Sequence, residues 1–143
     1  MTNLFHQILR THQWIYKNTN GLLGHRLLFG NPTLLLYTTG RKTGLPRTTA
    51  LTYARDGDAY LVVASKGGAP TPPAWLANLK ADPDCEIQIG RRRHRVTARS
   101  TLPDDPDYAR RWTIVNAVNK DRYTEYQDKT DRPIAIVELH PTS

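Results

Sequence analysis

The chain is short and basic, and its composition narrows the classes of function open to it. Its 143 residues carry 20 lysines and arginines against 13 aspartates and glutamates, a formal net charge of +7, which favours an acidic partner such as nucleic acid, an anionic membrane or a phosphorylated ligand. The size suits a single domain with one core. The single cysteine excludes an internal disulfide. The sequence contains no run of eighteen apolar residues, so we expect no membrane-spanning helix.

The chain begins with a predicted amphipathic helix. Residues 2–17 place Leu4, Ile8 and Ile15 on one helical stripe. That stripe could cover the core, or it could lie on a membrane surface, and the pattern leaves both open. Because the N-terminus lacks the pattern of a signal peptide, we expect a cytoplasmic protein, with peripheral contact to the inner face of the cell membrane as an alternative.

Short apolar and β-branched runs then predict strands that are joined by tight turns. The predicted strands are Thr33–Thr39, Arg47–Arg55, Tyr60–Ala64, Glu86–Ile89, Arg93–Arg99 and Ile134–Leu139. Asp56-Gly57-Asp58 and the region around Gly90 have the residues that hairpin turns prefer. Neighbouring strands should therefore pair in an antiparallel sense.

Two helices are predicted between these strands. Thr71-Pro72-Pro73 reads as a cap followed by prolines that the first helical turn tolerates, and this helix should run to about residue 80. Asp105-Pro106 opens a second helix in which Tyr108, Trp112 and Val115 share a face. About six strands with two or three helices predict a small, mostly antiparallel barrel of the α+β class. We expect one domain over residues 1–143, with the helix at 1–20 and the barrel at 21–143.

A cationic turn follows the first predicted strand. Gly40 and Gly44 allow backbone amides to converge there, and Arg41, Lys42 and Arg47 bring three positive charges close together. Guanidinium groups bind phosphate or carboxylate oxygens through paired hydrogen bonds. The turn therefore predicts an anion site, and the alternative is a solvated basic hairpin tip.

Two further segments indicate a ligand site. The run Ser65-Lys66-Gly67-Gly68 ends a predicted strand, and its glycines allow close backbone approach and an anion nest. Trp75 and Asn78 lie three residues apart on a predicted helix, so Trp75 could pack beside a flat ring while Asn78 bonds its edge. Trp75 as a plain core residue remains the alternative. Together with the turn, these segments describe a ligand with an anionic tail and a flat aromatic head.

The runs TTGRKTGLPR, VVASKGGAPTPPAWLANL and YTEYQDKTDRPIAIVEL resemble, in that order, the deazaflavin-dependent nitroreductase family. The resemblance extends from about Gly21 to Pro141, and the GRK-[ST]-G-x-x-R and SKGG…P-x-W-x-x-N elements are specific as a pair. It implies a flavin-reductase-like split β-barrel that binds the 8-hydroxy-5-deazaflavin coenzyme F-420, a cofactor with a phosphodiester and an oligoglutamate tail.

The resemblance also implies which residues contact the cofactor. Those near the phosphate and the acidic tail would be Arg41, Lys42, Thr43 and Arg47. Those along one side of the ring would be Thr48, Thr49, Ala50, Leu51 and Thr52, with Val63, Ala64, Ser65 and Lys66 on the neighbouring strand. The segment closing over the ring and tail would be Ala74, Trp75, Leu76, Ala77 and Asn78.

The reaction implied is hydride transfer from the reduced coenzyme to an electron-poor acceptor. By resemblance this acceptor is a quinone, with a nitroaromatic as the second candidate. A nearby hydroxyl should stabilise or protonate the reduced acceptor, and Tyr123 is the favoured group, lying near the cofactor, with Tyr126 and Ser65 as partners. Simple packing of the two tyrosines is the alternative.

Two competing classes of function remain. Arg91-Arg92-Arg93-His94-Arg95 is a basic stripe that could bind nucleic acid, but it lacks interleaved aromatic residues, so we expect a solvated edge hairpin and no nucleic-acid partner. A split barrel that binds flavin mononucleotide or haem is the second alternative. The five histidines show no metal-ligand spacing, and we expect no metal site. The oligomeric state is not predicted.

Overall fold

The computed structural model describes residues 31–142. The helix predicted at residues 2–17 lies outside this range, so the single-domain organisation of the whole chain stays a prediction. Within the described residues, three α-helices and a short 3-10 turn accompany the strands. The helices are α1 (Ala74–Ala81), α2 (Tyr108–Val118) and α3 (Arg122–Asp128), and the 3-10 turn is Lys66–Gly68.

Seven antiparallel strands form one curled sheet in this part of the chain. They are β1 (Thr33–Thr39), β2 (Pro46–Thr52), β3 (Ala54–Asp56), β4 (Ala59–Val63), β5 (Asp84–Ile89), β6 (Arg92–Thr101) and β7 (Ile136–Pro141). Their order in the sheet is β2-β1-β5-β6-β7-β4-β3. The two edge strands, β2 and β3, are consecutive in the chain, so the sheet curls until its edges meet at one segment. The predicted α+β barrel with antiparallel strands is confirmed.

Tyr53 divides the strand predicted at Arg47–Arg55 into two. Before it, β2 pairs with β1; after it, β3 pairs with β4. The backbone N–H of Tyr53 donates to Pro32 O at 3.1 Å, outside both ladders. The count of about six strands was therefore one too low, because one continuous stretch of sequence pairs with different neighbours on either side of a single residue.

The sheet has a core on each of its faces. Leu34, Leu36 and Val62 point to one face, where α1 packs with Trp75 and Leu79. Residues of the opposite parity point to the other face, as expected for the two-residue period of a strand. That second core consists of Ala54, Leu61, Val63, Ile134 and Ile136, with Val115 from α2 and Tyr123 from α3. Helix α1 and the pair α2 and α3 thus lie on opposite sides of the sheet.

Helix α1 begins later than its sequence predicts. Its N-cap is Pro73, in an extended conformation (φ −66°, ψ 150°) and without a side-chain cap. Thr71 and Pro72 each precede a proline, which disfavours helical backbone at both positions. The prediction that Thr71 caps this helix was therefore wrong, whereas the second helix carries Val115 on its buried face as expected.

The basic run Arg91–Arg95 does not belong to an edge hairpin. Strand β5 pairs with β1 and β6 pairs with β7, so both strands lie inside the sheet and the edge prediction was wrong. The arginines are nevertheless exposed, as predicted. Arg93 stacks over the ring of Tyr37 at 4.2 Å and pairs with Glu86 at 2.9 Å. The local sequence pattern identifies the β5–β6 hairpin. The strands that pair with it on either side, β1 and β7, come from distant parts of the chain and cannot be read from that pattern.

A buried ionic network fastens α2 to the sheet. Glu138 in β7 is 1% exposed and its Oε2 accepts from Arg111 Nη1 at 2.7 Å and from Thr101 Oγ1 at 2.5 Å. Arg111 Nε also donates to Asp56 Oδ2 at 3.0 Å. His140 Nε2 lies 2.9 Å from Glu138 Oε1. One helix side chain therefore connects strands β3, β6 and β7.

Candidate functional site

A cleft of about 630 Å³ opens between the turn that joins β1 to β2 and the first turns of α1. Nine of the residues predicted to bind the cofactor line it. Those from the turn and its exit are Arg41, Lys42, Thr43 and Arg47. Those from β2 and α1 are Thr48, Thr49, Ala74, Trp75 and Asn78. Residues from two separate predicted motifs therefore meet at one place.

The backbone of the β1–β2 turn is closed by its own hydrogen bonds. Gly40 N–H donates to Leu45 O, and Gly44 N–H donates to Gly40 O, both at 2.8 Å. Leu45 N–H donates to Thr43 Oγ1 at 3.2 Å. Gly44 has φ +71°, which favours glycine, and a Cβ on Gly40 would lie 2.9 Å from Thr43 Oγ1. The backbone of the turn thus favours glycine at 44, and a side chain at position 40 would displace the Thr43 hydroxyl.

Asn78 ties this turn to α1. Its Oδ1 accepts from the backbone N–H of Arg41 and from Arg41 Nη1, both at 3.1 Å, and its Nδ2 lies 3.5 Å from Thr38 Oγ1. Asn78 is 5% exposed. The sequence suggested that Asn78 contacts the ring of a ligand, but nothing in the pattern indicated that its oxygen orients Arg41, since 37 residues separate the pair.

The cleft is cationic and lacks acidic side chains. Arg41, Lys42 and Arg47 line it, and none of the other lining residues carries a carboxylate. Between residues 31 and 142, none of these three cations forms an ion pair. Like charges held together without a counter-charge repel one another. This arrangement favours an anion site over a solvated hairpin tip, and it fits a cofactor with a phosphodiester and carboxylates.

Trp75 is a core residue that also lines the cleft, and its packing against a ligand ring stays a prediction. It is 7% exposed and packs in the first core, against residues of the sheet, and it also lines the cleft. The side chain is therefore held rigidly by the core and presents a small aromatic surface to whatever occupies the cleft.

The remaining residues predicted to bind the cofactor do not line this cleft. They are Ala50, Leu51, Thr52, Val63, Ala64, Ser65, Lys66, Leu76, Ala77 and Tyr123. Ala64 and Leu76 are buried in the first core and Val63 in the second. Their roles at the cofactor stay predictions. The residues that were expected to hold the anionic groups of the cofactor are among those that line the cleft.

The predicted catalytic tyrosines belong to an aromatic cluster. Tyr108 stacks on Trp112 at 5.6 Å, Trp112 lies 6.5 Å from Tyr123, and Tyr123 meets Tyr126 edge-on at 6.2 Å. Tyr123 is 7% exposed, and burial, with a smaller contribution from Tyr126, raises the pKa of its hydroxyl. That hydroxyl therefore stays protonated near neutral pH.

Helix α3 also contacts the loop that contains Ser65. A Cβ placed on Gly68 would lie 2.5 Å from Tyr126 O, so the loop backbone approaches the helix as closely as only glycine allows. Ser65 is 8% exposed. The structure therefore brings the segments of the three predicted catalytic residues side by side.

The described residues show neither a membrane span nor a metal centre. Among residues 31–142, no helix has the length and apolar character needed to cross a membrane. In the same range, no group of three or more His, Cys, Asp or Glu side chains could hold a metal ion.

The curled sheet is that of a split-barrel protein, and its cationic cleft suits an anionic cofactor. A family model described as F420H(2)-dependent quinone reductase matches residues 8–141. The chain belongs to this family, as the sequence motifs predicted. Its members are oxidoreductases, and the cofactor is coenzyme F-420. The competing assignments to a flavin mononucleotide, haem or nucleic-acid barrel are not favoured.

Individual relatives agree with this family. The F420H(2)-dependent quinone reductase Rv1261c of Mycobacterium tuberculosis (strain ATCC 25618 / H37Rv) is 61% identical over 133 residues, which cover 93% of this chain and 89% of that protein. A solved F420-H2 dependent reductase, FDR-A, matches with a TM-score of 0.68 and 34% identity over 76% of this chain and 94% of its own. HutZ, the haem storage protein of Vibrio cholerae, shares only the fold, with a TM-score of 0.61 and 14% identity over 78% and 82% of the chains.

Proposed function

We propose that this chain catalyses the reduction of a quinone by reduced coenzyme F-420. The observation that carries the proposal is the set of three cations, Arg41, Lys42 and Arg47, in a cleft without carboxylates. When bound, the coenzyme supplies the hydride, and the protein supplies orientation and charge. The quinone, rather than a nitroaromatic, is the acceptor that the family description supports.

The cationic turn would hold the anionic part of the coenzyme. Arg41 is already oriented by Asn78, so little side-chain entropy remains to be lost on binding. Lys42 and Arg47 add two further donors. Each hydrogen bond between a charged donor and a phosphate or carboxylate contributes about 1.5–3 kcal/mol. These residues together would fix the tail and, through it, the position of the ring.

A hydroxyl group would meet the negative charge that develops on the quinone oxygen. We assign this role to Tyr123, with Tyr126 and Ser65 beside it. Burial raises the pKa of Tyr123, so the hydroxyl remains a donor at physiological pH. The close contact between α3 and the Ser65 loop supports a shared site for the three residues.

A quinone acceptor that resides in the membrane would require the protein to act at the membrane surface. Quinones with long side chains dissolve in membranes, and residues 2–17 have an amphipathic sequence. We propose a cytoplasmic protein that makes peripheral contact with the membrane through this segment. Flotation with anionic liposomes, comparing the full chain with one that begins at Asn18, tests the contact; equal binding of the two refutes it.

Titration of the protein with coenzyme F-420 tests the cofactor site. Flavin mononucleotide and NADPH serve as comparison ligands, at low and at high salt. Lys42→Ala and Arg47→Ala should each weaken binding of the deazaflavin about tenfold to a hundredfold, since each removes one charged hydrogen-bond donor. Arg92→Ala, at an exposed arginine outside the cleft, should bind normally.

Turnover of reduced coenzyme F-420 with menadione completes the test. We expect the wild-type chain to oxidise the coenzyme only when the quinone is present. Preference for flavin mononucleotide, or equal losses in all three variants, would contradict the assignment of the cleft.

A further inference from the structure

The loop between β4 and α1 has an unusual backbone. Three consecutive residues have positive φ: Lys66 at 45°, Gly67 at 64° and Gly68 at 84°. Lys66 has a Cβ, so this conformation is costly there. Within the loop, Gly68 N–H donates to Ser65 O at 2.9 Å and Ala69 N–H donates to Lys66 O at 3.1 Å. A segment with so few internal bonds needs support from outside to keep this shape.

That support comes from one guanidinium group. Arg132 Nε donates to Ala69 O at 2.8 Å, Nη1 to Ala64 O at 3.2 Å, and Nη2 to Ser65 O at 2.8 Å. The three acceptors flank the residues of positive φ, two of them just before Lys66 and one just after Gly68. The planar fork of arginine suits such a set of donors, whereas the single ammonium of lysine cannot reach three separated carbonyls.

Arg132 is itself held in place. Gln127 in α3 donates from Nε2 to Arg132 O at 2.8 Å and accepts at Oε1 from Ile134 N–H at 3.0 Å. In the part of the chain that the structure describes, Arg132 forms no ion pair with a carboxylate. The guanidinium group of Arg132 therefore donates to carbonyls of the loop, and Gln127 of α3 holds the backbone of Arg132 in place.

We propose that Arg132 is a positioning residue for the reaction. It holds the Ser65–Ala69 loop against α3, so that Ser65, Lys66 and the tyrosines of α3 keep one mutual geometry. This inference rests on the proposed function, in which Ser65 and Lys66 serve the cofactor and the acceptor. It adds a residue that lies in the third sequence run but was given no role there, 67 residues from Ser65 in the chain.

Hydrogen exchange of the cofactor-free protein tests the clamp directly. The variants are Arg132→Lys, which keeps the charge but not the three-point geometry, and Arg132→Gln. The control is Arg99→Lys, at an arginine whose side chain is 67% exposed. In both Arg132 variants the amides of Gly68 and Ala69 should exchange about tenfold faster, because the loop opens locally. Amides of β6 should exchange as in the wild type.

Steady-state kinetics test the consequence for turnover. With menadione as acceptor, Arg132→Lys should lower kcat about tenfold, while the dissociation constant of coenzyme F-420 changes less than about threefold because the cationic turn is intact. Unchanged kcat, or exchange that accelerates equally in every strand, overturns the positioning role. Inactive wild-type protein would instead refute the proposed function, and the exchange of Gly68 and Ala69 would still decide whether Arg132 holds the loop.

Discussion

The buried network around Glu138 allows a quantitative test of what holds α2 to the sheet. Replacing Glu138 by Gln keeps the shape of the side chain but removes its charge. Glu138 is 1% exposed, and the Arg111 side chain is 10% exposed. Removing one partner of a buried ion pair costs about 3–5 kcal/mol, because the other charge is left without compensation.

Asp56 limits this loss. It still pairs with Arg111 at 3.0 Å after the change, so we expect the lower end of the range, about 3 kcal/mol. For a chain of this size one kcal/mol lowers the melting temperature by about 2–4 °C, so the expected decrease is about 6–12 °C.

Thermal unfolding followed by circular dichroism measures this shift. The matched control is Glu86→Gln in β5, since Glu86 also pairs with an arginine, at 2.9 Å, but both side chains are exposed (41% and 55%). Surface pairs contribute about 0–1 kcal/mol, so the control should melt within about 4 °C of the wild type. Equal shifts in the two variants would show that burial does not make the Glu138 pair important.

Two further predictions concern titratable groups. Hydrogen bonds from Arg110 and Arg111 lower the pKa of Asp56. The stability that Asp56 contributes is therefore present above its unfolded pKa of about 4 and is lost as the pH falls through the lower folded pKa. Acid unfolding of Asp56→Asn should begin at a higher pH than that of the wild type, and coincident unfolding curves would contradict this. Burial, together with nearby carboxylates, raises the pKa of Cys85 to about 12. The thiol should therefore react with a disulfide reagent at about pH 8 roughly a thousandfold more slowly than free cysteine. A rate within about tenfold of that of free cysteine would show that the thiol is accessible and ionised, against this prediction.

Features set by neighbouring residues were the ones that sequence could predict. The strand Thr33–Thr39 has the bounds that its apolar run indicated, and Gly57 and Gly90 both take positive φ in the expected hairpin turns. The β1–β2 turn closes on its own hydrogen bonds with Gly44 at φ +71°, as its glycines suggested. In each case a local property, such as side-chain period or backbone freedom, decides the structure.

Features set by distant residues were not predictable from one sequence. The break at Tyr53 depends on a contact with Pro32 and on strands β1 and β4 that compete for one segment. The interior position of the β5–β6 hairpin likewise depends on β7, which begins at Ile136, 35 residues after β6 ends at Thr101. The hydrogen bonds between Asn78 and Arg41 span 37 residues, and those from Arg132 to the loop span 63 to 68. A polar side chain indicates that it needs partners but not which ones it will find.

Two clusters of positive charge among the described residues lie at opposite ends of β1. The β1–β2 turn extends from the end of β1 at Thr39, whereas the tip of the β5–β6 hairpin lies beyond Leu35 and Gln88, towards the start of β1. A strand of seven residues separates them, which is about 20 Å.

That separation exceeds the range over which exposed charges interact in physiological salt, about 8 Å. The arginines at the hairpin tip therefore contribute little to the electrostatic steering of an anion into the cleft. The turn should therefore matter more than the tip for capture of the cofactor, so the tip can gain or lose arginines, and with them affinity for other acidic surfaces, with little effect on the rate of that capture.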